Sequence, residues 1–301
     1  MPGSGTPPGA GPERKTTNAR RVGVVNEETG FSVKFWGVRG SIACPGESHA
    51  RYGGNTSCLE IRCGPNLLIF DAGTGLRRLG KTLIGPKPMA GDLFLTHTHL
   101  DHIVGLPFFA PMYNPENRMR LWAGHLQPNL TLHEALSKFM AAPLFPVPLK
   151  VFTCKISYHD FSAGETLMPR PDVRLRTAPL NHPNGATGYR IEYGGQAICY
   201  VTDTEHQEGR RDRNVLDLIQ GADLVIYDAS YTDEEYPKFR NWGHSTWQEG
   251  VRLCDAAGAR RLVIFHHDPA HDDDFMDGVA KAAEAARPGT VVAREGMVLT
   301  P

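Results

Sequence analysis

Net charge is almost absent from this chain of 301 residues: 32 lysines and arginines stand against 33 aspartates and glutamates. That balance excludes a basic nucleic-acid footprint spread over the whole surface, though not a local patch. No apolar run approaches the ~20 residues of a membrane span. The first fifteen residues lack the apolar centre of a secretory signal. Cysteine is scarce and scattered, at Cys44, Cys58, Cys63, Cys154, Cys199 and Cys254, with no CxxC pair. A disulfide framework is therefore not expected, the thiols read as reduced core residues, and a cytoplasmic location follows. No internal repeat and no second domain boundary are visible.

What the chain does have is glycine, proline and histidine. Its 32 glycines and 23 prolines exceed the usual combined share of ~12% and imply many turns and short strands. Eight of the first twelve residues are Gly or Pro. Residues 1–22 are accordingly expected to form a disordered tail and residues 23–301 a single domain. Short apolar runs bounded by Gly, Pro or Asp predict strands at Ser32–Gly37, Ser57–Cys63, Leu67–Asp71, Asp92–Thr96 and Met119–Ala123. A second series follows at Lys150–Lys155, Val173–Ala178, Thr187–Tyr193, Ala197–Thr202, Asp223–Tyr227 and Arg261–Phe265. Helical spacing marks His102–Ala110, Thr131–Met140, Val215–Gln220, Trp247–Ala257 and Asp274–Ala286. Strands dominate both halves, with helices after each set, so the fold class is α/β, with two packed sheets flanked by helices. Pro111–Pro148 is too long for an ordinary connection. It reads either as a lid or binding loop, with Trp122, Phe139 and Phe145 free to stack on a base, or as an insertion whose rings belong to the core.

Thirteen histidines are present, many beside aspartate. The densest group is His97-Thr98-His99-Leu100-Asp101-His102, directly after a predicted strand. Four ligand-type residues within six positions are rarely structural. Imidazole and carboxylate suit Zn, Mn or Fe(II). Further along, His182, Asp203 and His266 each close an apolar run.

This pattern resembles the metallo-β-lactamase fold family, whose signature is HxHxDH followed by a His, an Asp and a last His. The resemblance spans roughly residues 32–300 and implies an αββα sandwich of two mixed β-sheets flanked by helices. It also implies two divalent metal ions, zinc being the first choice. Carried over by motif, His97, His99 and His182 hold one metal. Asp101, His102 and His266 hold the second, and Asp203 bridges them. His267 is the rival of His266. His267, Asp268 and His271 otherwise read as a solvated or supporting cluster.

Details of the motifs separate the branches of the fold. His99 stands where flavodiiron proteins have Glu. Asn181-His182-Pro183 and the following Gly188-Tyr189 differ from the GHTxG of thioesterases and resemble ribonuclease Z and cyclic-phosphodiesterase enzymes. Trp242-Gly243-His244-Ser245-Thr246 before a helix resembles ribonuclease Z as well. There this His protonates the leaving oxygen, which makes His244 the general acid, with Ser245 or Thr246 as helix cap. Asp228 falls where an acidic residue orients that His, and Asp101 joins the catalytic set by steering the nucleophile. Asp71, in the turn Asp71-Ala72-Gly73-Thr74-Gly75, is expected to support the site. His97–Leu106 resembles the class II cyclic-nucleotide phosphodiesterase signature, and Phe35–Ser41 and Tyr52–Cys58 resemble a bacterial subgroup given that activity.

The expectation is a binuclear phosphodiesterase that opens a 3′,5′-cyclic nucleotide to the 5′-monophosphate through a metal-bridging hydroxide. A small-molecule substrate is expected, without a nucleic-acid or membrane partner, and the resemblance implies a homodimer. Two other substrates are weighed: a cyclic ribose phosphate or similar small phosphodiester, and a tRNA 3′ end. A further reading, from outside the enzymes, is a silent module that senses a nucleotide. The tRNA reading is set behind because Pro111–Pro148 has only Arg118, Arg120 and Lys138 as bases, too few for a basic arm.

Overall fold

The structure is a computed structural model that describes residue 3 and residues 30–301. The expected tail and its boundary at residue 22 lie outside the described residues, Gly3 excepted. Among the described residues no helix is long and apolar enough to cross a membrane.

The first sheet contains β1 (Phe31–Gly37), β2 (Cys58–Cys63), β3 (Asn66–Phe70), β4 (Ala90–Leu95), β5 (Arg118–Ala123) and β6 (Lys155–Asp160), side by side in chain order. The second contains β7 (Thr166–Arg170), β8 (Val173–Leu180), β9 (Ala186–Tyr193), β10 (Gln196–Val201), β11 (Leu224–Asp228), β12 (Arg261–Phe265) and β13 (Val291–Val292). The last strand, β14 (Val298–Leu299), returns to the first sheet beside β1. Among the described residues each sheet thus has seven strands. Each is antiparallel in one part and parallel in the other, over β3–β6 and β10–β13.

Period-two alternation explains the layering. In β1, Val33 and Phe35 face the second sheet, while Trp36 faces outward. In β10, Ile198 and Tyr200 point into the same central core, while Ala197, Cys199 and Val201 lie under helices. The parallel strands are covered on both faces and read as near-continuous apolar runs. The helices are α1 (Gly75–Thr82), α2 (Leu100–Ile103), α3 (Leu132–Phe139), α4 (Arg213–Ile219), α5 (Trp247–Ala257) and α6 (Asp273–Ala286). α1 and α3 cover the outer face of the first sheet, α4 and α5 that of the second. Thr246 caps α5 by accepting from Glu249 N, as the motif led one to expect.

Several elements depart from expectation. The helix expected over His102–Ala110 is one α turn followed by 3-10 turns at Leu106–Phe108 and Ala110–Tyr113, because Pro107 and Pro111 interrupt the backbone ladder. The strand expected at Lys150–Lys155 starts only at Lys155, after a 3-10 turn at Leu149–Val151. α1 was hidden by Gly75 and Gly80, which lower helix propensity. Tertiary burial of Leu76 and Leu79 makes it helical. Pro111–Pro148 is no lid. It supplies β5 and α3, and Met112, Leu132, Leu136 and Met140 are buried under the first sheet. Trp122 stacks on Phe94 and His159 and donates to Asp92 at 3.0 Å, so its ring is committed to the sheet.

Candidate metal centre

The carboxyl ends of the parallel strands in both sheets meet at one edge of the sandwich. β3 ends at Phe70, before Asp71, and β4 at Leu95, before the turn 96–102. In the second sheet Asp203 follows β10, Asp228 closes β11, His266 follows β12, and His182 sits in the β8–β9 turn. The sheets are joined at this edge: Tyr189 OH donates to Leu95 O at 2.7 Å and Thr187 N to Thr96 O at 2.9 Å. Asp71, Asp203 and His266 all have φ between 60° and 63°. Non-glycine residues take that left-handed conformation at a cost, which here turns a strand end sharply enough to aim its side chain inward.

The seven sequence-predicted ligands come together as two groups. His97, His99 and His182 form one, and Asp101, His102, Asp203 and His266 the other. Within the first, His182 Nε2 lies 3.1 Å from His99 Nδ1. Within the second, His102 Nε2 and His266 Nε2 face each other at 3.3 Å, with Asp101 Oδ2 at 3.2 and 3.5 Å from them. Asp203 spans both. Its Oδ1 is 3.8 Å from the Nε2 atoms of His97 and His182, and its Oδ2 is 3.3 Å from those of His102 and His266.

Four of the five imidazoles, all but His99, are set by their other nitrogen. His102 Nδ1 donates to Asp71 at 2.9 Å, and His182 Nδ1 to Gly243 O at 2.8 Å. His97 Nδ1 is 3.1 Å from Thr96 Oγ1, which itself donates to Asp71. His266 Nδ1 is 3.1 Å from Ser230 Oγ. Such partners fix the tautomer that leaves Nε2 bare.

The residues fit divalent cations. Bare Nε2 atoms converge with carboxylate oxygens, and His97 Nε2 is buried without a hydrogen-bond partner. Electrostatics point the same way. Burial and the adjacent His102 hold His97 well below its ordinary pKa, in the neutral form a ligand needs. Burial opposes charge on His102, yet Asp203, Asp101 and Asp71 overcome it and hold its pKa well above the usual value. The pocket therefore demands positive charge, which metal ions supply.

His244 stands outside these two groups, although its ring also falls within ligand reach of His182 and Asp203 and of Asp228 and His266. Its Nδ1 is 2.9 Å from Asp228 Oδ2 and 3.9 Å from Asp203 Oδ1. Asp228, fully buried, also accepts from Ser230 N, Ser230 Oγ and Thr204 N. Burial works against charge on His244, but Asp228 outweighs it and lifts the pKa to about 9. The rival of the last ligand is turned away, since His267 Nε2 donates to Ala293 O at 2.8 Å; His271, expected in a solvated or supporting cluster, pairs through Nε2 with Glu235 at 2.8 Å.

Some of the site was not foreseen. Ser41 N donates to Asp101 Oδ2 at 2.9 Å. A Cβ on Gly40 would come 2.5 Å from the His266 ring, so Gly40 is required for close approach. Arg39 is wholly buried, and donates to Gly53 O and His271 O at 2.9 and 2.7 Å. The glycines flanking a charged residue in Gly37-Val38-Arg39-Gly40 are the signal the sequence offers for this part of the site. At Gly243, φ is 86° and a Cβ would lie 2.4 Å from His182 Nδ1.

The beta-lactamase superfamily domain matches residues 66–267. Ribonuclease Z of Gemmatimonas aurantiaca is 26% identical, over 80% of this chain and 88% of the relative. Ribonuclease Z of Haloarcula marismortui is 23% identical, over 81% and 90%. Among solved structures, the metallo-β-lactamase fold protein YhfI of Bacillus subtilis superposes with a TM-score of 0.67 at 20% identity, over 89% of this chain and 98% of that one. The short form of human tRNase Z gives 0.63 at 18%, over the same shares of the two chains.

These relatives correct two expectations. The curated relatives are ribonucleases, which overturns the choice of a 3′,5′-cyclic nucleotide as substrate. The likeness over His97–Leu106 that supported it lies in a turn that gathers metal donors, and such a turn carries no information about the leaving group. The same finding overturns the expectation that nucleic acid is not a partner. Net charge counts paired and unpaired groups alike, so a balanced total says nothing about a local surface.

Proposed function

The chain belongs to the beta-lactamase superfamily, and we propose that within it this protein is a binuclear metal-dependent phosphodiesterase that cleaves RNA, an endonuclease of the ribonuclease Z kind acting at the 3′ side of a tRNA precursor. The observation that carries the reading is the division of Asp203, one oxygen toward each donor group, with His244 alongside on its own carboxylate support. Names of the relatives support RNA as the substrate.

His97, His99 and His182 would hold one ion, and Asp101, His102 and His266 the other, with Asp203 shared; the nitrogen and oxygen donors suit zinc. Ions bound there supply Lewis acidity toward phosphoryl oxygens and a nucleophile at neutral pH. The chain's own contribution to bond cleavage is His244. Its Nδ1–H is committed to Asp228, so the imidazolium presents Nε2–H to the departing ribose oxygen. A ribose alkoxide is a poor leaving group, and a positioned proton donor is worth about 10²–10⁴-fold. Asp228 keeps the ring oriented and charged. Asp101, held by Ser41 N, faces the same pocket and is placed to orient the attacking water.

The test is cleavage of a 3′-extended precursor tRNA by metal-loaded protein, beside a panel of 3′,5′- and 2′,3′-cyclic nucleotides. Endonucleolytic release of the 3′ trailer, abolished by chelation and restored by zinc or manganese, is the expected result. Turnover of a cyclic nucleotide without any cleavage of RNA would overturn the reading.

A further inference from the structure

Two features of the rim are not used by the chemistry above. The first is Trp242, whose residue surface is 62% exposed although its backbone is held on both sides. Glu205 accepts from Asn241 N at 2.7 Å and from Gly243 N at 2.9 Å, and Tyr236 OH donates to the same carboxylate. Phe239 braces the indole edge-on at 5.6 Å. Gly243 packs on His182 and His244 comes next, so a fixed aromatic face stands in solvent two residues from the proton donor.

The second is charge. Arg210, Arg211 and Arg213 are exposed on the segment that follows Asp203, and with Asn181, the neighbour of His182, they line a groove of about 410 Å³. Asn181 and Glu205 exchange two hydrogen bonds of 2.8 Å, which tie this segment to the ligand turn. The acids of the segment are engaged within the chain. Glu205 holds the Trp242 loop, Glu208 pairs with Arg240 at 2.6 Å, and Asp212 caps α4 by accepting from Asn214 N and Val215 N. Among the described residues the three guanidiniums have no such partner.

An exposed aromatic tied through Glu205 to a groove that carries unpaired cations is an arrangement that holds a single strand, whose bases stack and whose phosphates pair. A duplex has no free base face to offer. We propose that residues 205–213 and 239–244 form a docking rim for single-stranded RNA entering the metal centre, with Trp242 stacking on a base and Arg210, Arg211 and Arg213 holding phosphates. This rests on the RNA-cleaving function proposed above and names the parts of the chain that recognise its substrate.

The experiment measures anisotropy of a labelled single-stranded RNA on metal-loaded protein carrying His244→Ala, which suppresses cutting, together with cleavage of precursor tRNA by chains that retain His244. Trp242→Ala is expected to weaken binding roughly tenfold or more, with Trp242→Phe restoring most of it. Replacing Arg210, Arg211 and Arg213 by Gln should flatten the slope of log affinity against log salt by about 2, at ~0.7 per phosphate on a single strand. Melting temperature and metal content should stay those of the parent. Unchanged affinity and slope in both variants would overturn the rim, and so would an equal loss for blunt duplex RNA. If the native chain cuts precursor tRNA and the variants cut it with undiminished kcat/KM, the rim fails while the RNA-cleaving function stands. If the native chain cuts no RNA yet the variants lose single-strand binding, that function fails and the rim stands.

Discussion

The first sheet places four donors on one short segment, residues 97–102, which leaves β4 and runs into the single turn of α2, whereas the second places His182, Asp203 and His266 on three loops and His244 on a fourth. On that segment, local backbone geometry spaces the donors, and fixing β4 fixes all four. In the second sheet no local rule relates one donor to the next. Their convergence depends on β10, β11 and β12 lying side by side and on the β8–β9 turn reaching the same edge. Two of these donors, Asp203 and His266, carry left-handed backbone, as does none of the four on the turn. Where a strand end must aim a single side chain, the chain accepts backbone strain that a ligand-rich turn avoids.

Asp203 is where the two contributions meet, and its removal should have the largest effect. Asp203→Ala is expected to empty both groups and abolish turnover. His97→Ala should weaken chiefly the first group and His266→Ala chiefly the second. Elemental analysis of protein purified without chelator should give about two metals per chain for the parent and far less for Asp203→Ala. Two retained metals in that variant would dissolve the link between the halves.

His244 belongs to the second half but lies outside both donor groups, so it separates catalysis from metal retention. His244→Ala should slow RNA cleavage by about 10²–10⁴ and largely spare bis(p-nitrophenyl) phosphate, whose leaving group departs without a proton. Its metal content should match the parent. Loss of metal would make His244 a ligand, and equal slowing on both substrates would make it a phosphate-positioning group.

Asp71 lies behind the turn, and through Tyr200 OH at 2.8 Å it also reaches the second sheet. Asp71→Asn keeps the shape but replaces one accepting oxygen by an NH2 donor, so the side chain can no longer accept both from Thr96 N, now on Oδ1, and from His102 Nδ1, now on Oδ2. Competition with a chromophoric chelator should show metal affinity about 10–100-fold weaker, with the loss falling first on the group that contains His102. An unchanged affinity would mean that the turn orients its imidazoles unaided.

The contrast between the halves also explains what could be read from the residues. His97–His102 was plain because four donors fall within six residues, and His182, Asp203 and His266 became visible only as strand-end residues in an order known from a family. Asp228 and His244 were legible by the same route. The contribution of Ser41 N was not, because a backbone amide leaves no side-chain signature, and Arg39 and Gly40 showed only as a charged residue among glycines. Strands with apolar alternation were found to within a few residues. α1 was missed because two glycines masked a buried Leu76–Leu79 stripe. Within 111–148 the strand and the helix were legible, but six prolines left the lid reading open beside the core reading, and the stacking of Trp122 on Phe94 decides for the core. The basic rim escaped notice for a related reason. Its acids are consumed by capping and loop-holding bonds that composition cannot see.

Two adjacent residues sharpen the comparison at its finest scale. His266 and His267 follow the same strand, have the same chemistry and are both fully buried. The left-handed turn at His266 sends its ring to the metal side. His267 goes to the opposite side, where Nε2 donates to Ala293 O and the ring meets Tyr52 edge-on at 6.0 Å. His267→Asn removes that contact without touching a donor. It should keep both metals and turnover, and lower stability by about 1–3 kcal/mol, the usual cost of a lost buried hydrogen bond. His266→Asn should do the reverse, losing metal and activity. Thermal melts alongside elemental analysis distinguish the two. Metal lost from His267→Asn would mean that the ring packed on Tyr52 sets the aim of its neighbour, so that even this last donor depends on the packing beneath it.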